Sequence, residues 1–479
     1  MRIISADIHL IDLETRFPFK YGIATMTRAP YAMVRVHVES GGRTAAGISA
    51  DLLPPKWFTK IAEKPPEEEV DEMAAVVEHA VGLAVGVSGE TAFELWRELH
   101  RQQSAWGTER NIPPLLSGFG TSLVERAIIE ATCRLHNVPF SAAVGNNLLG
   151  IRLGEVDEEL HGLQPRDLLP GEPRNCIVAR HTVGMADLLT VDEIADADRL
   201  DDGLPQSLDE CIQRYGLRHF KIKVSGDIDS DVDRVGRIAD VIRRLAPADV
   251  AVTMDGNEQF RSLEAFREFW QTLTSVPALA DLFGRLMFVE QPFHRDIALD
   301  ADVLEGLAEW SDRPPMIIDE SDAETGSMRL ALSLGYNGTS HKNCKGVFKS
   351  IINACLLEKR RRENPTAKLI LSGEDLANVG PVALLQDLAV AATLGVASVE
   401  RNGHHYFAGL SAFPETVQQQ MLGTHGDLYR PSAAGWPTLA IGRGELKLGT
   451  VNAAPMGVGF DLDVEQFTPI ATWKAEREV

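Results

Sequence analysis

Short apolar, β-rich runs begin near Ile177, Arg218, Val250, Leu286, Met316, Thr339, Leu369 and Ser398, and they alternate with longer helical patterns. Apolar runs without a polar alternation are the mark of parallel strands buried on both faces. Eight strand–helix units in succession predict a (β/α)8 barrel, a modified TIM barrel. The helix between the second and third runs is the clearest, with Val232, Val235, Ile238, Val241 and Ile242 as its apolar stripe. The most apolar stretch, 379–399, carries Gln386 and Asp387, opens with Gly380-Pro381 and breaks at Gly395. It reads as a buried helix and a strand, with no membrane span.

The ends of these strands are in phase with charge. Lys223 closes the second, Asp255 the third, Glu290 the fourth, Asp319 the fifth and Lys342 the sixth. In such barrels the chemistry sits at the C-terminal ends of the strands, so five consecutive staves present one ionisable group each to the same mouth. Glu400 ends the eighth and is placed to bond a substrate group or Lys342.

The remaining chain divides around the barrel. Residues 1–165 read as an α+β unit: strand-like stretches such as 31–39, closed by Gly41-Gly42, then helical patterns over 66–87, 90–103 and 122–136. The proline- and acid-rich stretch 154–174 reads as a linker or surface insertion. The barrel is expected over 175–425, and 426–479 as a segment that returns to the first unit. With a net charge of −22, neither nucleic acid nor an anionic membrane is an expected partner. The five cysteines are scattered and lack metal-type spacing, which fits a reducing compartment. Residues 1–10 read as a strand and not as a signal peptide, so the expected location is the cytoplasm. A homo-oligomer is expected.

Three carboxylates meeting at one point repel one another, and a divalent cation is the usual remedy. Hard oxygen donors favour magnesium, with manganese as the alternative ion. On Asp255, Glu290 and Asp319 such an ion would accept a substrate carboxylate and stabilise the enediolate formed when the neighbouring carbon loses its proton. The base must be able to be neutral near pH 7. Alternation puts Lys221 and Lys223 on one side of the strand, so Lys221 and the ion both tune Lys223 as that base. Lys342 faces it across the mouth. Two lysines on opposite faces of a planar intermediate give racemisation or epimerisation. If one of them only stabilises charge, cycloisomerisation or elimination follows. A catalytically silent metal-binding barrel is the non-enzymatic alternative, though it has no use for Lys223 and Lys342.

Lys221-Ile222-Lys223, Asp255-Gly256-Asn257, Glu290-Gln291-Pro292, Asp319-Glu320-Ser321 and Lys342-Asn343-Cys344-Lys345-Gly346 stand in one order along the chain. In that order they resemble the enolase superfamily, within it the muconate lactonising enzyme-like and mandelate racemase-like branch. Its sites pair a lysine or histidine base with magnesium. The resemblance implies an α+β capping domain completed by the C-terminal segment. It implies Asp255, Glu290 and Asp319 as metal ligands, with Asp319 favoured over Glu320. Lys223 is then a base, Lys342 the opposing acid–base group, and Lys221 the residue that orients and tunes Lys223. Asn257 would sit beside the metal, with Glu320, Lys345 and Glu400 in supporting or substrate-binding places. Capping loops 19–26 and 51–58 would cover the mouth and set specificity for a small-molecule carboxylate. The seventh strand, 369–375, lacks the histidine of the mandelate racemase-like pattern, which lowers the expectation of an acid-sugar dehydratase. His404 and His405 follow the eighth strand and read as loop residues or an unusual acid.

Overall fold

The structure, a computed structural model, describes residues 1–477. It opens with a long antiparallel meander of β1 (Arg2–Tyr21), β2 (Ala24–Ser40) and β3 (Arg43–Leu52). Between β2 and β3 a two-residue turn is closed by the Ser40–Arg43 pair. Gly41 and Gly42 both take positive φ there (58° and 75°), the turn whose twist matches the strands it joins.

Three helices cover this sheet: α1 (Pro66–Ala84), α2 (Ala92–Glu109) and α3 (Pro114–His136). The last begins eight residues before the expected start at Ser122. Ser117, Gly118 and Gly120 are poor helix formers and mask its first turns, but Pro114 suits a first helical turn and the segment is almost wholly buried. It lies directly on β3. A Cβ at Gly47 would sit 2.0 Å from the Ala127 carbonyl oxygen, so this crossing requires glycine.

The barrel follows as eight parallel strands: β4 (Cys176–Val183), β5 (His219–Lys223), β6 (Ala251–Asp255), β7 (Leu286–Glu290), β8 (Met316–Ile318), β9 (Gly338–His341), β10 (Ile370–Gly373) and β11 (Ser398–Arg401). β11 pairs with β4 from Ser398–Val178 to Arg401–His181, which closes the ring. A (β/α)8 barrel with an N-terminal capping domain is therefore the fold. The helix Ile228–Leu245 carries the expected stripe, with Asp227 capping its first turn by accepting from the Ser230 N–H. Helix Ala383–Thr393 is buried along its length because it runs beneath the cap as well as against the barrel. The Tyr31 hydroxyl accepts from the amides of Val382 and Ala383, and Gln386 donates to the Ile48 carbonyl.

Residues 154–174 do not form a free linker. They wind in short helical turns that bury Leu160 and Leu168, and Asp157 and Glu159 pair with Arg329 and Arg360 on the barrel. Two of the acids that made the stretch look exposed, Asp157 and Glu159, are bound to barrel arginines. The C-terminal segment divides its contacts. Glu445–Lys447 pairs antiparallel with β4 at the foot of the barrel, whereas Thr468–Pro469 pairs with β1 in the cap. Among the described residues, no helix is long and apolar enough to cross a membrane.

Candidate active site

Parallel strands alternate their side chains between the barrel interior and the helix layer. On β5 this sends Lys221 and Lys223 inward and Ile222 outward, and all three are buried. β5 and β6 pair Lys223 with Asp255, and β6 and β7 pair Asp255 with Glu290, so three charged ends stand side by side. Asp319 follows β8 directly and Lys342 follows β9.

Lys221 sits at the centre of the acids. Its Nζ lies 2.9 Å from Asp255, 2.8 Å from Glu290, 3.0 Å from Glu400 and 3.3 Å from Glu374. Burial opposes its charge, yet these four carboxylates lift its pKa well above that of an ordinary lysine. Lys223 Nζ donates to Asp255 Oδ2 at 3.0 Å and to Asn257 Oδ1 at 2.9 Å. The two lysines therefore share one carboxylate oxygen. Asn257 is held in a positive-φ turn (42°) in which its backbone N–H donates to Asp255 Oδ1.

Asp319 faces a second pair of lysines, Lys342 at 2.5 Å and Lys345 at 3.1 Å. Burial would raise its pKa, but those two ammonium groups hold it well below the carboxylate range. Burial also opposes the charge of Lys342, and Asp319 overcomes this and keeps it an ammonium. The Trp57 ring, from the capping loop, lies over that ammonium at 4.5 Å.

Asp255, Glu290 and Asp319 thus line one mouth, but their oxygens do not all approach within 4.8 Å of one another. Lys221 stands between Asp255 and Glu290, and Lys342 and Lys345 turn Asp319 aside. Whether the residues suit a hard dication is answered by their donors. Four carboxylates surround the single Lys221 ammonium. Burial and the neighbouring Glu374 push Glu290 well above the carboxylate range, and its Oε2, although 2.8 Å from Lys221, lies outside hydrogen-bonding alignment. A buried carboxylate oxygen without a hydrogen bond beside an excess of acid is a suitable donor for magnesium. The donor set fits the ion.

The mouth holds a cavity of about 50 Å³. Phe19, Tyr21 and Met26 from the tip of the β1–β2 hairpin and Pro54 and Trp57 from the loop after β3 roof it, the two segments expected to do so though the first is paired strand and not loop. Lys221, Lys223, Asp255, Asn257, Asp319, Glu320, Lys342 and Glu400 line its floor and walls. Glu290 and Lys345 lie behind them, in contact with Lys221 and Asp319. Glu320 is pushed up to about 7 by burial and then by Asp319.

Several polar residues were not singled out from the sequence. Glu374, just beyond β10, contacts Lys221 and is paired with Arg180 from β4. Asp375 lines the mouth and is paired with Arg401 at 2.5 Å. Asn402 lines it too and donates to Glu400 at 3.0 Å. Glu374 and Asp375 did carry a signal, since both acids directly follow the apolar run of the seventh strand, near the level of the acids that end β6 and β7. His404 and His405 are not exposed loop residues: both are buried in the short helix Gly403–Tyr406, outside the acid centre.

Fold and mouth together define a capped (β/α)8 barrel with an acid–lysine centre. No protein-family model matches the chain, and no curated protein does. Solved structures do. A 2-chloromuconate cycloisomerase from Rhodococcus opacus 1CP superposes with a TM-score of 0.60 at 18% identity, covering 97% of this chain and 98% of its own. An N-succinyl Arg/Lys racemase from Bacillus cereus ATCC 14579 gives 0.60 at 16% identity, covering 98% of both. A dipeptide epimerase from Enterococcus faecalis V583, in complex with Mg and L-Leu-L-Tyr, gives 0.59 at 15% identity, covering 95% of this chain and 99% of its own. The resemblance drawn from the sequence motifs holds at the level of fold along nearly the whole chain.

Proposed function

We propose that this chain is an enolase-superfamily isomerase that removes the α-proton of a small carboxylate and returns a proton to the opposite face, as a racemase or epimerase. One observation carries the reading. Lys223 ends β5 and Lys342 follows β9, four staves away in a ring of eight, and both amino groups enter the same roofed cavity.

Lys223 is the base. Asp255 and Asn257 fix two directions about its nitrogen, leaving the third for the substrate α-hydrogen. Lys221 stays charged and shares Asp255 with it. Lys342 is the acid: Asp319 keeps it protonated, so it has a proton to give. After one turnover Lys223 holds the proton taken from carbon and Lys342 has surrendered its own, and the reverse substrate resets the pair. A magnesium or manganese ion held by Asp255, Glu290 and Asp319 would supply Lewis-acid stabilisation for the charge that develops on the substrate carboxylate. Phe19, Tyr21 and Trp57 exclude water, which strengthens every charge interaction beneath them.

The test is proton exchange. Dipeptides, N-acylated and N-succinylated amino acids and other small carboxylates are incubated in heavy water with magnesium. The expected result is deuterium at the α-carbon together with inversion. Complete absence of exchange across that panel, from folded protein, would remove the reading. Cycloisomerisation is the second reading, favoured by the firmly charged Lys342, because an ammonium that never gives up its proton still stabilises charge. A muconate-type diacid that closes to a lactone would show it.

A further inference from the structure

A second cluster lies on the outer face of the same barrel seam. His181 lies near the C-terminal end of β4, Cys211 belongs to helix Leu208–Tyr215, and His405 follows β11. Each is at most 2% exposed. One ligating atom from each lies within 4.8 Å of the other two, the only such set of histidine, cysteine or carboxylate side chains among the described residues. Cys211 Sγ stands 3.5 Å from His405 Nδ1. A tetrahedral zinc ion, with bonds of roughly 2.0–2.1 Å to nitrogen and roughly 2.3 Å to sulfur, sets its ligands about 3.3–3.7 Å apart. The observed sulfur–nitrogen edge falls in that range.

The surroundings favour a metal over a salt bridge. No carboxylate bonds any of the three side chains. His404 Nε2 lies 3.3 Å from His181 Nδ1 and orients that ring, as an outer hydrogen bond orients a metal-bound histidine. The nearby cation, Arg16 from β1, is held by Asp202 and by backbone carbonyls that include that of His405. Two imidazoles and a cysteine sulfur suit zinc, with the fourth position left for a water.

We propose that His181, Cys211 and His405 bind one zinc ion that ties the closing seam of the barrel to the capping domain. The tie runs through aromatic contacts. Phe17 packs edge-on against the His405 ring at 4.9 Å, and Phe19, which roofs the active cavity, stacks on Tyr406 at 3.9 Å. Zinc would hold the 403–406 turn on which this part of the lid rests. The inference is independent of the reaction assigned above.

The site is buried, so the ion enters during folding. The test is expression in cobalt-supplemented minimal medium, in a Cys176→Ala background that removes the exposed thiol, followed by EDTA and then excess magnesium. The expected result is one retained cobalt per chain with a thiolate-to-cobalt charge-transfer band. Cys211→Ser and His405→Gln should each lose both. A parent protein without retained metal, or a band that survives Cys211→Ser, overturns the proposal. Should either variant fail to fold, X-ray absorption on the parent decides. One sulfur at roughly 2.3 Å with nitrogens at roughly 2.0–2.1 Å supports the site, and a shell without sulfur overturns it.

Discussion

The inner and outer faces of a single strand end show two ways of burying polar groups. On β4, Arg180 and Thr182 point into the barrel, where they bond Glu374 and Glu400 beside the lysines of the mouth. His181, between them, points outward to Cys211 and His405. β9 repeats the contrast: Ser340 donates inward to Asp319, while His341 turns outward to Ser350. The inner face is built mainly from ionisable groups, with acids in excess around Lys221 and lysines and arginines interleaved among them. The outer face is built from groups that stay neutral. Desolvation acts on both; the inner groups meet it with counter-charges and the outer groups by not ionising. Only the inner face keeps charge available for acid–base work.

The largest test of this contrast removes the inner base. Lys223→Ala should lower α-proton exchange by roughly 10²–10⁴-fold, the usual contribution of a positioned acid or base. The far-ultraviolet dichroism should stay native, because the cavity beside Lys223 accepts the truncation. Exchange at the parent rate would show that another group is the base.

A second test removes one counter-charge from an inner acid. Arg180 and Glu374 are both about 1% exposed or less at their side chains. Arg180→Met leaves Glu374 with only the shared Lys221 as counter-charge and should cost about 3 kcal/mol in urea unfolding, whereas Arg180→Met combined with Glu374→Gln should recover much of that loss. Equal destabilisation by single and double variants would mean that Arg180 acts through packing alone.

How much of this was readable in advance depends on the face. The inner groups end apolar runs in a fixed phase, so Lys223, Asp255, Glu290 and Asp319 announce themselves once eight staves are counted. The capping loops over 19–26 and 51–58 were likewise legible, through the resemblance those motifs carry. The outer groups sit one residue out of phase, and their partners come from separate helices. Nothing in the spacing of His181, Cys211 and His405 brings them together; only the closure of β11 on β4 does. Charge misled in two other places. The acids of 154–174 concealed Leu160 and Leu168, and reading Glu374-Asp375 only for a missing histidine hid their own role.

The outer face makes an opposite prediction for acid. Burial depresses His341 to about 3, against roughly 6.5 in an unfolded chain. Between those values the unfolded state binds the proton and the folded state does not. The contribution is therefore complete above about pH 6.5 and is lost as pH falls toward 3, at about 1.4 kcal/mol per pH unit. His341→Asn should shift acid unfolding to lower pH. Near pH 8 it should cost only about 1 kcal/mol, the worth of the bond to Ser350. An unchanged acid midpoint would mean that His341 titrates normally.

The smallest effect sharpens the division within the inner face itself. Trp57 reaches from the cap to the Lys342 ammonium and touches no other lysine's charge at this distance. A cation over an aromatic face is worth about 0.5–1 kcal/mol when exposed and about 2 when desolvated. Trp57→Leu keeps the apolar roof and removes the ring, so it weakens the hold on Lys342 while leaving Lys223 with Asp255 and Asn257. Proton removal should then proceed near its parent rate, and delivery to the opposite face should slow by roughly 2–30-fold, the same energies expressed as rates. In heavy water this appears as deuterium gained with retained configuration outrunning inversion. If exchange and inversion fall together, Trp57 serves only to shut out water, and the two lysines are not separable through the cap.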